Sequence, residues 1–300
     1  MIQEIKPAIW QILGKQPGRN VVIIGGTHGN ERTGVEVVSK LKSMIESGRL
    51  NIIRGTLVLI HGNPRAIEIN ERGSEPHADL NRSYLVDLLE REPTGIYEDQ
   101  RAREIAPLLI VSDVVVDLHA TNKPSEPFIA CADSSGHEQV YQWFPSKKVL
   151  SDPNYVLAGK LVTTDEFVDA HGGTGLCYET GQAGDVTRVD EVMRNVINLL
   201  IDQNLVEGEV RIPSNECEIY EMIEPIVLTA VGFTFAEGFG NGSWEPFVAD
   251  QTIGYHGDVP LVATYDGVVV FPKIQELRKE GSPLAYLAKK VNERKKPPRD

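Results

Sequence analysis

The chain has 300 residues, 41% of them hydrophobic and 24% charged, which is enough apolar material for one large domain or two smaller ones. Its formal net charge of −13 argues against nucleic acid and anionic membrane surfaces, both of which favour basic patches. No run approaches ~18 consecutive apolar residues, which excludes a membrane-spanning helix.

A short strand is predicted over residues 9–13. The run 20–24 is continuously apolar and β-branched after its first residue, as in a strand covered on both faces. Val35, Val38, Leu41 and Ile45 then recur at helical spacing, with Thr33 or Asn30 available as a cap and Gly48 near the end. A strand at 56–60 follows. Residues 100–109 read as part of a helix interrupted around Pro107, leading into a strand at 113–118. Next come a strand at 128–132, a helix at 137–144 and a strand at 176–179. A helix at 186–205 follows, with Val189, Val192, Met193, Val196 and Leu200 on one face. Strands alternating with helices imply right-handed crossovers and an α/β fold with a largely parallel sheet between helices.

The pattern changes near Glu207. From 209 to 271 there is no convincing amphipathic helix, only short β-rich runs (210–212, 217–222, 267–270) with Gly and Pro punctuation. A helical tail is expected around 284–292, with 295–300 frayed. The expected organisation is a catalytic domain over 1–206 and a smaller β-rich domain with that tail over 207–300.

Ligands on parallel sheets bind beyond the carboxyl ends of the strands. His28, Asn63, His119 and Glu179 each fall at or just past such an end, on different predicted strands. His28 and Glu31 lie three apart in a Gly-rich strand-to-helix turn, where i and i+3 side chains can share a face and grip one ion. The competing reading leaves Glu31 as a helix-start carboxylate and His28 exposed. His119 ends an apolar strand beyond Asp117, which could orient the site or merely cap a turn. Two histidines and a carboxylate leave zinc a fourth position for water, and Glu179 offers a free carboxylate at the same sheet edge. Arg65 and Arg82 lie in the intervening loops and suit an anionic group; alternatively Arg82 pairs with Asp79, and Arg65 with Glu68 or Glu71, on a solvated surface.

Cys131, Cys177 and Cys217 are too few and too far apart for a disulfide framework or a paired-cysteine metal site, and they read as reduced thiols. The start, Met1-Ile2-Gln3-Glu4-Ile5-Lys6-Pro7, lacks the apolar core of a signal peptide. A cytoplasmic location is expected.

Five motifs occur in order: Gly25-Gly26-Thr27-His28-Gly29-Asn30-Glu31, Gly62-Asn63-Pro64-Arg65-Ala66, Asp79-Leu80-Asn81-Arg82, Asp117-Leu118-His119 and Tyr178-Glu179-Thr180-Gly181. With these the chain, from about residue 20 to 205, resembles the aspartoacylase and succinylglutamate desuccinylase family of zinc amidohydrolases, related to the metallocarboxypeptidases. The resemblance implies a carboxypeptidase-like mixed sheet and one zinc ion held by His28, Glu31 and His119. It implies Glu179 as proton shuttle, Arg65 as the group polarising the scissile carbonyl, and Asn81 and Arg82 on the substrate carboxylate. Asn63 is placed among the substrate-binding residues and Asp117 among the supports of the site. Tyr286 aligns loosely with a substrate-binding tyrosine, and packing of the tail is its alternative role.

The chain departs from aspartoacylase where that enzyme carries an arginine for the aspartate side chain. Thr164-Asp165-Glu166-Phe167-Val168-Asp169-Ala170-His171-Gly172-Gly173 has none, and its acids suit a neutral or cationic substrate side chain. The expected function is zinc-dependent hydrolysis of a small N-acyl amino acid, with a carboxypeptidase or a non-catalytic zinc protein as alternatives. A homodimer is expected by analogy with the family.

Overall fold

The structure, a computed structural model, describes residues 2–210 and 217–291. The predicted strand at 9–13 is present as β2 (Ile9–Leu13), paired with an unforeseen β1 (Ile2–Lys6). β3 (Gln16–Gly25) leads into α1 (Arg32–Glu46), and β4 (Arg54–His61) into a short α2 (Pro64–Ile69). α3 (Tyr97–Ile110) precedes β5 (Val114–Thr121). β6 (Phe128–Ala130), α4 (Ser135–Tyr141), β7 (Lys148–Ser151) and α5 (Thr164–Ala170) follow. β8 (Thr174–Gln182) and α6 (Val189–Asp202) complete the first part of the chain. Beyond it come β9 (Glu218–Val227), β10 (Thr234–Phe235), β11 (Glu245–Phe247), β12 (Thr252–His256), β13 (Val259–Val262), β14 (Gly267–Val270) and β15 (Pro283–Lys290).

Twelve strands form one mixed sheet in the order β1-β2-β4-β3-β5-β8-β6-β7-β9-β15-β14-β11. Its centre, β4-β3-β5-β8, is parallel, and antiparallel pairs lie at both margins. Alternate residues of the central strands go to opposite layers, as the pleat requires. Val21, Ile23, Leu57, Leu59, Val114 and Val116 pack with Val37, Val38 and Leu41 of α1 and Val192, Val196 and Leu200 of α6. Val22, Ile24, Val58, Ile60 and Val115 pack instead with Ala102, Ile105 and Leu109 of α3 and Phe167 and Val168 of α5. Both faces are therefore covered, which is why these strands read as unbroken apolar runs.

Several expectations need correction. The tail at 284–292 is not a helix up to 291: residues 283–290 form β15, hydrogen-bonded between β9 and β14. Leu284, Ala285, Tyr286, Leu287 and Ala288 are buried in succession, so burial on both faces of a sheet overrides the helix propensity of Leu and Ala. α3 is not interrupted at Pro107 but continues to Ile110. The exposed proline forfeits one backbone bond, while Ile105, Ala106 and Leu109 hold the helix on the sheet. Neither Asn30 nor Thr33 caps α1: Glu31 occupies the cap position without a side-chain cap bond. The predicted strand at 210–212 falls mostly outside the described residues, as do 295–300. No helix among the described residues is long and apolar enough to cross a membrane.

Candidate functional site

β3 stops at Gly25, and the chain turns back toward α1 under tight steric limits. A Cβ on Gly25 would sit 2.1 Å from the Gly34 carbonyl oxygen, and one on Gly29 2.0 Å from the Ala66 carbonyl carbon. Only glycine allows this approach, which holds the His28 turn against α1 and α2. His28 Nδ1 then lies 2.8 Å from Glu31 Oε1, and His119 Nδ1 lies 3.0 Å from Glu31 Oε2. All three side chains are buried. Glu31 Oε2 also accepts the Ala120 amide at 3.0 Å, tying the end of β5 to the start of α1.

The remote nitrogen of each imidazole faces a carboxylate. His28 Nε2 is 3.0 Å from Asp79 Oδ1, and His119 Nε2 is 3.0 Å from Asp117 Oδ2, out of line for a hydrogen bond. Asp117 is fully buried and accepts hydrogen bonds from the hydroxyls of Thr27 (2.9 Å) and Thr164 (2.8 Å). Burial alone would raise the Glu31 carboxyl, but His28 and His119 outweigh it and hold it far below the usual range. For His119, burial opposes the charged form and Asp117 overcomes it, raising the imidazole well above its ordinary value.

Glu179 stands directly opposite His119 in the β5–β8 register. It is 9% exposed, and its Oε2 has no hydrogen-bond partner among the described residues. Burial, reinforced by the Glu31 charge, pushes its carboxyl up to about 7.

The arginines are distributed differently from expectation. Arg65 is exposed, with its guanidinium 4.1 Å from the centre of the Tyr97 ring, and it does not line the site. Its expected place beside the scissile carbonyl is corrected: Arg65 lies in α2 on the solvent side. Arg72, outside the five motifs, borders the His28–Glu31 pair instead. Its guanidinium holds Asp79 Oδ2 at 2.8 Å and approaches Glu31 Oε1 at 3.7 Å. The only signal for it in the sequence was one more arginine in the irregular stretch before Asp79. The Arg82–Asp79 alternative is not formed, because Asp79 is engaged by Arg72 and His28.

Asn63 is also corrected, from substrate contact to structural cap. It is fully buried, accepts the Ala66 amide at 3.1 Å to cap α2, and donates to Glu98 at 2.9 Å. Asn81 and Arg82 border the cavity that also holds His28, Glu31, His119 and Glu179; Asn81 Oδ1 accepts the Thr164 amide at 2.9 Å. Tyr286 borders the same cavity, from a strand rather than a helix, with its hydroxyl donating to the Leu157 carbonyl at 2.9 Å. Of the site residues expected from the sequence, all except Arg65, Asn63 and Asp117 border one cavity of about 1640 Å³, and Arg72 borders it as well.

The donor set suits a divalent metal. One ligand atom from each of His28, Glu31 and His119 can be chosen so that all lie within 4.8 Å of one another. The Asp79 carboxylate hydrogen-bonded to His28 fixes that ring's orientation, and the Asp117 charge beside His119 raises the basicity of the second imidazole, as at zinc sites. The profile of the succinylglutamate desuccinylase/aspartoacylase catalytic domain matches residues 17–199, more than half of the chain. The chain belongs to this family. Among desuccinylase/aspartoacylase relatives, a probable aspartoacylase of Nostoc sp. is 41% identical over 106 residues, 34% of this chain and 35% of that protein. The match thus spans about a third of that relative's length. An N-alpha-acetyl-L-2,4-diaminobutyric acid deacetylase of Halomonas elongata is 24% identical across 93% of this chain and 85% of its own. A succinylglutamate desuccinylase structure from Vibrio parahaemolyticus has the same fold, with a TM-score of 0.78 at 19% identity, covering 96% of this chain and 87% of that one.

Proposed function

We propose that the protein is a zinc-dependent deacylase that hydrolyses the amide bond of a small N-acyl amino acid. The observation that carries this reading is Glu179, a buried carboxylate with one oxygen unpartnered, facing the His28–Glu31–His119 cluster across the β5–β8 pair. A zinc ion held by those three residues would supply Lewis-acid polarisation and lower the pKa of water to ~7. Glu179 takes the proton of the attacking water and returns it to the leaving amine nitrogen, a task suited to a carboxyl poised near 7. Arg72 donates to the developing oxyanion; its tie to Asp79 fixes the guanidinium beforehand. Arg82 holds the substrate carboxylate beside Asn81, whose Nδ2 makes no hydrogen bond among the described residues. Tyr286 and Leu157 close that wall.

On the amine side the cavity is acidic. Asp165 borders it, pushed up to about 6 by burial and by Glu166, and no arginine occurs over 164–173. A second substrate carboxylate is disfavoured there, and a neutral or cationic side chain fits. The Halomonas elongata relative, named for an N-acetylated diamino acid, supports the same direction. A cytoplasmic homodimer belongs to the same proposal, and sedimentation reads its second half.

The test is metal analysis followed by a hydrolysis screen of N-acyl amino acids. The wild type is expected to hold one zinc per chain and to release the acyl acid. Glu179→Gln is expected to keep the metal and lose at least ~100-fold in kcat. Full activity of that variant would refute the role of Glu179, and release of carboxyl-terminal residues from peptides would favour a carboxypeptidase.

A further inference from the structure

Lys273 lies after β14, far along the chain from the metal-ligand motifs, yet it borders the same cavity. Its backbone amide donates to the Leu284 carbonyl at 2.8 Å, which ties it to β15 close to Tyr286. The half-buried ammonium makes no ion pair among the described residues. Arg82 makes none either; its guanidinium reaches only the Asn81 carbonyl, at 2.7 Å. Arg72 is neutralised by Asp79, whereas Arg82 and Lys273, and the exposed Lys279, border the same cavity without an ion pair among the described residues, in a chain with a net charge of −13. Burial and the charges of Arg72 and Arg82 both press the Lys273 ammonium below its ordinary value. Two partly buried like charges bordering one cavity repel each other, and an anion between them relieves that repulsion.

We propose that Lys273 is a specificity-determining residue, pairing with Arg82 to hold the carboxylate of the substrate. The inference rests on the deacylase reading for its substrate class and adds a binding group from the β-rich region. The carboxylate would lie between a fork-shaped and a point-like cation. Recognition would then demand a charged acid, and a neutral amide at that position would lose both contacts.

The experiment crosses one residue with one substrate group. A panel of N-acetyl-L-amino acids is titrated calorimetrically into zinc-loaded Glu179→Gln protein, alone and combined with Lys273→Met or Lys273→Arg, so that hydrolysis does not obscure binding, and the best-bound member is compared with its carboxyl-terminal amide. Lys273→Met is expected to weaken binding of the acid roughly ten- to hundredfold and to leave the amide unchanged. Lys273→Arg is expected to restore most of the loss. In turnover the effect should appear in KM with kcat retained. Equal affinities with and without Lys273→Met, equal losses for acid and amide, or no binding of any acid by the Glu179→Gln protein would each overturn the proposal. Lys273-dependent binding without hydrolysis by the wild type would sink the deacylase reading alone.

Discussion

Arg65 and Arg72 leave the same stretch of chain and end in different surroundings, one stacked over Tyr97 in solvent, the other between Glu31 and Asp79. Arg72→Ala is therefore expected to lower kcat/KM by about 100-fold or more, as for loss of an oxyanion donor. Arg65→Ala is expected to change it little, at a cost of ~0.5–1 kcal/mol in stability from the lost stacking. Steady-state kinetics on both variants decide between them. Asp165 makes a pH prediction. Its folded-state carboxyl sits at about 6 against an ordinary 3.8, so the native state binds the extra proton between these values. Stability from this group is thus present below about 3.8 and is lost as pH rises through about 6. Asp165→Asn is expected to gain ~1 kcal/mol at pH 7.5 and nothing near pH 4, read from urea midpoints at both pH values.

At the scale of elements, legibility followed periodicity and burial. β2 and β14 match their predicted spans, because short apolar runs bounded by Gly or Pro have few other readings. α5 was missed although Thr163 and Glu166 form a reciprocal capping box, a signal present in the residues themselves. β7 is only four residues long, and β15 reads as a helix in the sequence because the pairing that makes it a strand involves β9, more than fifty residues earlier. The β3–α1 junction carries a further prediction. Gly25→Ala forces a methyl group onto the Gly34 carbonyl oxygen, and is expected to cost about 1–3 kcal/mol and to reduce metal binding by shifting the His28 turn. An unchanged urea midpoint and metal content would show that the junction yields.

For the whole molecule, the sheet runs without a break past residue 206. β7 pairs in parallel with β9, and Ile219 packs in the same core as Val149 and Tyr178. Cavity walls from both halves of the chain meet there, with His28 and Glu179 from the first and Lys273 and Tyr286 from the second. The chain is therefore expected to unfold in one cooperative transition, with calorimetric and van't Hoff enthalpies equal. Two resolved transitions would mark residues 207–300 as an independent unit. The amino-acid order alone determined the α/β layering and the placing of His28, His119 and Glu179 at the sheet's ligand edge, since strand polarity and hydrophobic period are local properties. It was also enough to mark Glu31, three residues after His28, for the same ion. Only the tertiary structure decided that Arg72 rather than Arg65 borders the His28–Glu31–His119 cluster, that Asn63 caps a helix, and that Lys273 and Tyr286 border the same cavity. Those outcomes depend on loop paths and on pairing between distant strands, and no local pattern along the chain encodes where such segments come together.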